Sequence, residues 1–290
     1  MKDMSKKATG EFYFGSALTH EQMRYFDRYG IIQFKSFIDK STVRQLLQEV
    51  AATQRHLLDH GISKVNGIPL KFGQDVDGGS LIQRIAFASH YNPVLKEFLR
   101  DPRLAALTSL LGNYQGRIGE NEKDGLVVNH YVNTPDSAFR QLGWHTDSPR
   151  DLFLGRRIRP MLNVGLHLDD CPFENGGLRV LPGTHKQGLF RLLFRKKYFI
   201  DNTADAREVG FDIEAGDLTV HDGRIWHRVQ QSPLLGEASR RRVMYIPIIT
   251  GAYQPKSAAS PTPFYHRLAQ LSLNPSGRKT SLAAIQAKRQ

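Results

Sequence analysis

The spacing of apolar residues predicts helices in the first part of the chain. Residues Leu18–Tyr29 place apolar side chains on one face, Thr19 can cap this helix, and Gly30 would end it. A longer helix is predicted to start at Asp39 or Ser41, because apolar residues then recur with a period of about 3.6. The remaining elements predicted in this part are a strand, Ile31–Phe34, and a helical stretch from Pro93 to Leu111.

From Gly125 onward, the pattern changes to short runs of β-forming residues. Turn residues such as Pro182-Gly183 and Gly216-Asp217 separate these runs, and short strands at this spacing predict a sandwich or barrel. Lys186–Phe211 lacks a clear pattern and is predicted to be an insertion or lid that, with parts of Lys64–Ser80, forms the substrate mouth. The predicted strands are Leu126–Val132, Leu142–His145, Met161–Leu168, Arg179–Leu181, Leu218–Val220 and Arg242–Ile249.

The composition is that of a folded protein with room for one large domain or two small ones. The chain has 290 residues, of which 40% are hydrophobic and 23% charged. We expect no membrane span and no secretory signal, since no apolar run is long enough and the basic N-terminus lacks an apolar core. The single cysteine, Cys171, excludes a disulfide within the chain and cysteine-based metal centres. A cytoplasmic location fits these features.

The net charge of +12 is unevenly distributed along the chain. Residues 251–290 carry +6 and contain no acid, residues 1–10 carry +2, and residues 11–250 therefore carry only +4. A nucleic-acid-binding protein would more often carry a basic stripe on its folded body, so this distribution argues against a nucleic-acid partner. The local cluster Arg195-Lys196-Lys197 favours an anionic small molecule instead.

Two histidines and an aspartate in the β-rich part have the pattern of a metal centre. If Leu142–Asp147 is extended, His145 and Asp147 point to the same side, because side chains alternate along a strand. His227 could add a third ligand from a neighbouring strand, and His221, six residues earlier, is a competing candidate. Two histidines and one carboxylate leave three coordination positions open, the arrangement expected for non-haem Fe(II) oxygenases.

An arginine run, Arg240–Arg242, begins the last apolar strand. An arginine at the start of a buried strand can hold a carboxylate through two parallel hydrogen bonds. Alternation puts Arg241, Val243 and Tyr245 on one face, and the pattern alone does not say which face lines a site. Each feature has an ordinary explanation, since His-x-Asp pairs arise by chance and arginine runs are usually solvated turns. The functional prediction therefore depends on the joint pattern.

That joint pattern resembles the phytanoyl-CoA dioxygenase family of Fe(II)/2-oxoglutarate oxygenases over residues 18–249. The chain departs from the family where Arg228 and Val229 follow His227, and where Ser232–Ala238 lengthens a turn. The motifs that carry the resemblance are Trp144-His145-Thr146-Asp147, Leu168-Asp169-Asp170, Glu174-Asn175-Gly176 and Pro182-Gly183-Thr184-His185.

The resemblance implies a mostly β fold with N-terminal helices, whose core is a double-stranded β-helix, or jelly roll. It divides the chain into a tail, residues 1–17, a dioxygenase domain, residues 18–250, and a basic C-terminal extension, residues 251–290. Within the domain, residues 18–115 form a helical layer and residues 125–250 the jelly-roll core.

The resemblance also assigns roles to individual residues. It implies that His145, Asp147 and His227 bind Fe(II). It further implies that Arg241 binds 2-oxoglutarate, because the family places this arginine two residues before a small apolar residue, here Val243. With O2, the enzyme would convert 2-oxoglutarate to succinate and CO2 while it hydroxylates, or otherwise oxidises at a C–H bond, a small organic molecule.

Several alternatives stay open at this point. The sequence leaves the substrate and the oligomeric state undetermined. The chain could also be a catalytically silent binding protein on the same scaffold, because a fold alone does not determine a function. Another hypothesis, suggested by the basic tails, is that the chain is an oxygenase associated with nucleic acid.

Overall fold

The computed structural model describes residues 10–135, 137, 140–147 and 158–263. Residues 1–9 of the predicted tail and most of the predicted basic extension lie outside the described residues. The helices are α1 (His20–Tyr29), α2 (Lys40–Asp59), α3 (Pro93–Phe98), α4 (Pro102–Ala106) and α5 (Leu189–Phe194). The first strands are β1 (Glu11–Phe12), β2 (Ile31–Phe34), β3 (Lys64–Val65), β4 (Ile68–Pro69), β5 (Lys71–Gln74), β6 (Ser80–Ile85), β7 (Gly116–Ile118) and β8 (Val127–Asn133). The later strands are β9 (Leu142–His145), β10 (Met161–His167), β11 (Gly177–Val180), β12 (Val209–Gly210), β13 (Leu218–Asp222), β14 (His227–Gln230) and β15 (Gly236–Thr250).

The first two helices begin where the sequence predicts. The Thr19 hydroxyl accepts a hydrogen bond from the Gln22 backbone N–H, and the Gln22 side chain accepts one from the Thr19 backbone N–H. Gly30 ends α1 in a left-handed conformation, which glycine adopts without steric cost. Asp39, one of the two predicted start residues, caps α2 by accepting the Thr42 N–H at 2.7 Å.

Replacing Thr19 with alanine should lower the free energy of unfolding by about 1 kcal/mol, because the N-terminal N–H groups of α1 lose their acceptor. The His20→Ala variant changes the next, exposed position and should alter stability by less than about 0.5 kcal/mol. Urea denaturation of both variants beside the native protein measures the difference. Equal stability of Thr19→Ala and the native protein would contradict this account of the cap.

The helical stretch predicted from Pro93 to Leu111 is divided. α3 ends at Phe98, α4 begins at Pro102, and a short 3-10 helix covers Leu107–Leu111. The division follows from Pro102, which lacks a backbone N–H and disfavours helical geometry at Asp101. Asp101 instead caps α4 by accepting the Arg103 N–H at 2.9 Å.

The strands of the described residues form two main sheets. The larger has nine strands in the order β1-β2-β13-β10-β15-β8-β6-β5, with β7 paired to β15. The smaller has four strands in the order β12-β11-β14-β9, and β3 and β4 form a separate hairpin. From β8 to β15, successive strands mostly alternate between the two sheets. The expectation of a mostly β fold with N-terminal helices is confirmed.

The main hydrophobic core lies between the helices and one face of the nine-stranded sheet. Leu46 and Leu57 of α2 belong to the same buried cluster as Val164 of β10 and Ile246 of β15. Alternation along the strands sends other side chains, such as Asn163 of β10, to the opposite face of this sheet. Asn163 on that opposite face contacts the functional site described below, whose three main residues lie on the smaller sheet.

The N-terminal part contributes more than helices to the fold. β2, β5 and β6 belong to the nine-stranded sheet, and β1, inside the segment predicted to be a tail, pairs in parallel with β2. The predicted helical layer is therefore a mixed layer whose strands extend the sheet at both edges. The division into a tail, a domain and an extension stays a prediction. Among the described residues, no helix is long and apolar enough to cross a bilayer.

Candidate metal centre

His145 and Asp147 lie at the end of β9, on the edge of the four-stranded sheet. His145 is the last residue of the strand, and the Asp147 backbone N–H donates to the Gly223 carbonyl oxygen at 2.8 Å. One residue separates them, so their side chains point to the same side, as alternation predicts. The sequence motif thus places an imidazole and a carboxylate next to each other.

His227 comes to the same place through strand pairing. It is the first residue of β14, which pairs antiparallel with β9 so that His227 lies directly opposite His145. The centroids of the two imidazole rings are 4.1 Å apart. One donor atom from each of His145, Asp147 and His227 lies within 4.8 Å of the other two.

The hydrogen bonds of the two histidines leave Nε2 of each imidazole free to bind a metal. The Nδ1 atom of His145 lies 2.8 Å from the Gly143 carbonyl oxygen, and that of His227 lies 3.1 Å from the Ile225 carbonyl oxygen. A carbonyl oxygen only accepts, so each Nδ1 carries the proton and each Nε2 keeps its lone pair. Two imidazole nitrogens and a carboxylate form a donor set suited to a divalent iron ion with open positions.

Two further side chains surround the Asp147 carboxylate from the nine-stranded sheet. The Asn163 amide donates to Asp147 Oδ2 at 3.3 Å. His221 of β13 is fully buried, and its Nε2 lies 3.6 Å from the same oxygen. Neither ring nitrogen of His221 has a hydrogen-bond partner among the described residues. His221, the competing candidate from the sequence, therefore approaches Asp147, whereas His227 belongs to the cluster of three.

The electrostatics of the cluster keep its groups ready to bind a cation. Burial, together with the charges of the neighbouring imidazoles, holds the pKa of His227 well below its usual value, and burial also lowers the pKa of His145. Burial opposes the ionisation of Asp147, but the nearby histidines outweigh it and hold the pKa of Asp147 well below its usual range. Neutral imidazoles and an ionised carboxylate are the forms that bind metals.

Arg241 of β15 lies in the interior and has no carboxylate partner among the described residues. Its guanidinium is buried, with Nη1 donating to the Gln230 carbonyl oxygen at 3.0 Å and Nε lacking any partner among the described residues. It lies against the Tyr131 ring, and both residues line a small cavity with Cys171 and Tyr245. A buried guanidinium with unused donors is expected to hold an anion.

The two neighbouring arginines are already paired. Arg240 donates to Asp75 and Glu237, and Arg242 donates to both carboxylate oxygens of Asp169. Arg241 is therefore the member of the run that remains available to a carboxylate ligand. This arrangement agrees with the alternation that placed Arg241, Val243 and Tyr245 on one face.

Sequence reasoning missed three residues at the site. Asn163 was recognisable as the one amide in an apolar strand, although nothing in the pattern connected it to Asp147. Lys71 lies close enough to His145 for its charge to lower the pKa of that histidine, and burial lowers the pKa of Lys71 itself to about 7. Phe199, in the segment without a clear pattern, stacks on the His145 ring at 4.9 Å between centroids.

Comparisons with known proteins agree with this geometry. A family model described as phytanoyl-CoA dioxygenase matches residues 26–232. Phytanoyl-CoA dioxygenase 1 of Oryza sativa subsp. japonica is 28% identical over 246 residues, which cover 73% of this chain and 83% of that protein. An ectoine dioxygenase of Bordetella bronchiseptica is 28% identical over 182 residues, covering 61% of this chain and 53% of that protein. The chain thus spans about half the length of that second relative.

A solved structure has a similar fold. It is the epimerase SnoN in complex with Fe3+, alpha ketoglutarate and nogalamycin RO, with a TM-score of 0.55 and 20% sequence identity. The match covers 80% of this chain and 84% of that one. At this level of identity the likeness shows a shared fold.

Proposed function

The chain belongs to the phytanoyl-CoA dioxygenase family, and we propose that it hydroxylates a C–H bond of a small organic molecule. Because it belongs to this family, the chain is identified as an enzyme, a non-haem iron dioxygenase that depends on 2-oxoglutarate and O2. The observation that carries the proposal is the cluster of His145, Asp147 and His227, together with a buried arginine, Arg241, that has no carboxylate partner among the described residues.

In this proposal, His145, Asp147 and His227 hold the iron. Bound iron supplies the redox chemistry that couples decarboxylation of 2-oxoglutarate to oxidation of the substrate. The backbone carbonyls of Gly143 and Ile225 hold the two imidazoles in the tautomer that presents Nε2 to the metal. Asn163 donates to Asp147 and so holds its carboxylate in place. The protein thereby orients three donors before the metal arrives.

Arg241 holds the 2-oxoglutarate carboxylate farthest from the metal. Its guanidinium can donate two parallel hydrogen bonds to that carboxylate, which lysine cannot do. Burial strengthens the interaction, because water does not compete inside the sheets. The neighbouring ring of Tyr131 contacts the guanidinium and limits its movement.

We also propose that the two sheets form a double-stranded β-helix. The alternation of successive strands between the sheets from β8 to β15 supports this description, as does the location of the site between the sheets. In this view residues 18–250 make up the dioxygenase domain, and the strands of the N-terminal part widen the larger sheet.

The native protein with Fe(II), ascorbate and O2 should form succinate from 2-oxoglutarate, and a chelator should abolish the reaction until Fe(II) is restored. Metal removal is expected to stop turnover because no other described cluster offers this donor set. Quantifying succinate measures the reaction, and a substrate panel analysed by mass spectrometry for the gain of one oxygen identifies what is oxidised. Turnover that persists in excess chelator would contradict the proposal.

A further inference from the structure

Phe199 is held in an unusual conformation beside the metal cluster. Its φ is 61°, in the left-handed region that a bulky residue rarely occupies, because its Cβ approaches the backbone. A residue in this region is strained and persists only when its surroundings enforce the conformation. Such strain is often found at functional sites, so the contacts that enforce it are informative.

Hydrogen bonds connect the segment around Phe199 to β9, the strand that carries His145. The Phe199 N–H donates to the Trp144 carbonyl oxygen at 2.9 Å, and the Trp144 N–H donates to the Asp201 carbonyl oxygen at 2.8 Å. The Thr146 and Tyr198 hydroxyls are hydrogen bonded at 2.8 Å. At Gly143 a Cβ atom would lie 2.5 Å from the Phe199 carbonyl oxygen, so the close approach depends on a glycine.

These bonds place the Phe199 ring against His145. The two rings are stacked, with 28° between their planes and 4.9 Å between their centroids. The Phe199 side chain is nevertheless 46% exposed, so much of its ring is not covered by protein. An exposed aromatic surface thus lies next to His145, which is assigned to the metal. The carbon atom to be oxidised must approach the metal, so it comes near this surface.

Other large apolar side chains close to Phe199 in the sequence are also exposed. Ile200 and, on α5, Phe194 and Phe190 are each more than half exposed. Large apolar side chains concentrated on one exposed segment usually mark a binding surface. Among these side chains, Phe199 stacks on a residue of the metal cluster, whereas Phe190 contacts Phe194. Phe199 is therefore the one positioned to meet a substrate at the metal.

We propose that Phe199 forms one side of the substrate-binding site and that the substrate presents a flat apolar face to it. The proposal rests on the proposed function, since it takes His145 to be a metal ligand. An apolar ring system next to the oxidised carbon can stack on Phe199 in an offset or edge-to-face geometry. A fully hydroxylated, polar molecule has no such face and should not bind there.

The test uses the protein loaded with Mn(II) in place of iron, with indole as the apolar probe and mannitol as the polar one. Mn(II) binding is followed by its EPR signal, and the approach of the probe to the metal by the paramagnetic relaxation of the probe protons. Indole should relax strongly and mannitol should not. Phe199→Ala should weaken indole binding by about two- to tenfold, the range expected for one aromatic pair.

Phe190→Ala is the matched control. Phe190 is more exposed than Phe199 and lies on the same segment, but its ring contacts Phe194 and not His145. This variant should leave the relaxation of indole close to that of the native protein. Both variants should bind Mn(II) as the native protein does.

The results that would overturn the proposal can be distinguished from one another. If the native protein binds Mn(II) but indole does not relax, or if Phe199→Ala leaves indole binding unchanged, the subsite is wrong and the metal centre stands. If Phe199→Ala loses Mn(II) binding, the ring only positions His145. If the native protein does not bind Mn(II), the proposed metal centre fails and the subsite fails with it.

Discussion

Replacing His145 or His227 with alanine should abolish the formation of succinate from 2-oxoglutarate. Each variant removes one of three donors, and the two that remain cannot hold iron in an oriented way. The loss of activity should exceed the loss of about 10- to 100-fold that follows when only a residue hydrogen bonded to a metal ligand is changed. Enzyme loaded with Fe(II) under nitrogen and then exposed to O2 provides the measurement, with bound iron quantified in the same sample.

The control for these variants is a histidine away from the cluster. His60 is exposed at the end of α2, and His60→Ala should keep full activity. Far-UV circular dichroism should show the native fold in all three variants, since a ligand at an open catalytic site need not hold the core. Substantial turnover by His227→Ala, together with its loss in His221→Ala, would mean that His221 is the second histidine ligand.

Arg241→Ala should raise the concentration of 2-oxoglutarate needed for half-maximal turnover by about 30- to 1000-fold or more. The range follows from the about 2–5 kcal/mol lost when one partner of a buried charge pair is removed. Arg241→Lys should fall between the native protein and the alanine variant, because lysine keeps the charge but not the forked geometry. Titration with 2-oxoglutarate at saturating Fe(II) gives these values.

Arg240→Ala and Arg242→Ala are controls of similar chemistry. Both arginines have carboxylate partners on the surface side, Asp75 and Glu237 for the first and Asp169 for the second. Their removal should leave the affinity for 2-oxoglutarate close to the native value. A large effect of Arg242→Ala without one of Arg241→Ala would contradict the assignment of Arg241.

The sequence predicted the elements whose patterns are local. β2 and β9 lie where the β-forming residues of Ile31–Phe34 and Leu142–His145 placed them, and the caps at Thr19 and Gly30 were readable as single residues. The pair His145 and Asp147 could be placed on one side for the same reason, because alternation over three residues needs no tertiary information.

Elements that depend on distant partners were harder to predict. A strand at His227 was expected, but its bounds were not predicted, because Arg228 interrupts the apolar pattern of β14. The structure pairs this buried arginine with Glu208 at 2.7 Å. β15 is longer than the predicted Arg242–Ile249, since its first part continues from Gly236 alongside β8. A residue pattern does not reveal the neighbour that satisfies a buried charge or extends a strand.

The residues of the functional site could also be predicted only in part. The resemblance to a family named His145, Asp147, His227 and Arg241. Phe199 lies in Lys186–Phe211, which was predicted to form the substrate mouth, but no pattern singled out this residue. Phe199 comes to His145 through hydrogen bonds between backbone atoms of β9 and a segment more than 50 positions later. A glycine inside a strand, here Gly143, indicates that another backbone comes close but does not identify which segment it is.

The most direct test of the metal centre is a crystal structure of the native protein grown anaerobically with Fe(II) and 2-oxoglutarate, with anomalous data collected at the iron absorption edge. The account predicts a single strong anomalous peak bounded by Nε2 of His145, the Asp147 carboxylate and Nε2 of His227, with 2-oxoglutarate extending from the iron toward Arg241. A peak bound by His221 in place of His227, or no iron between these residues, would contradict it.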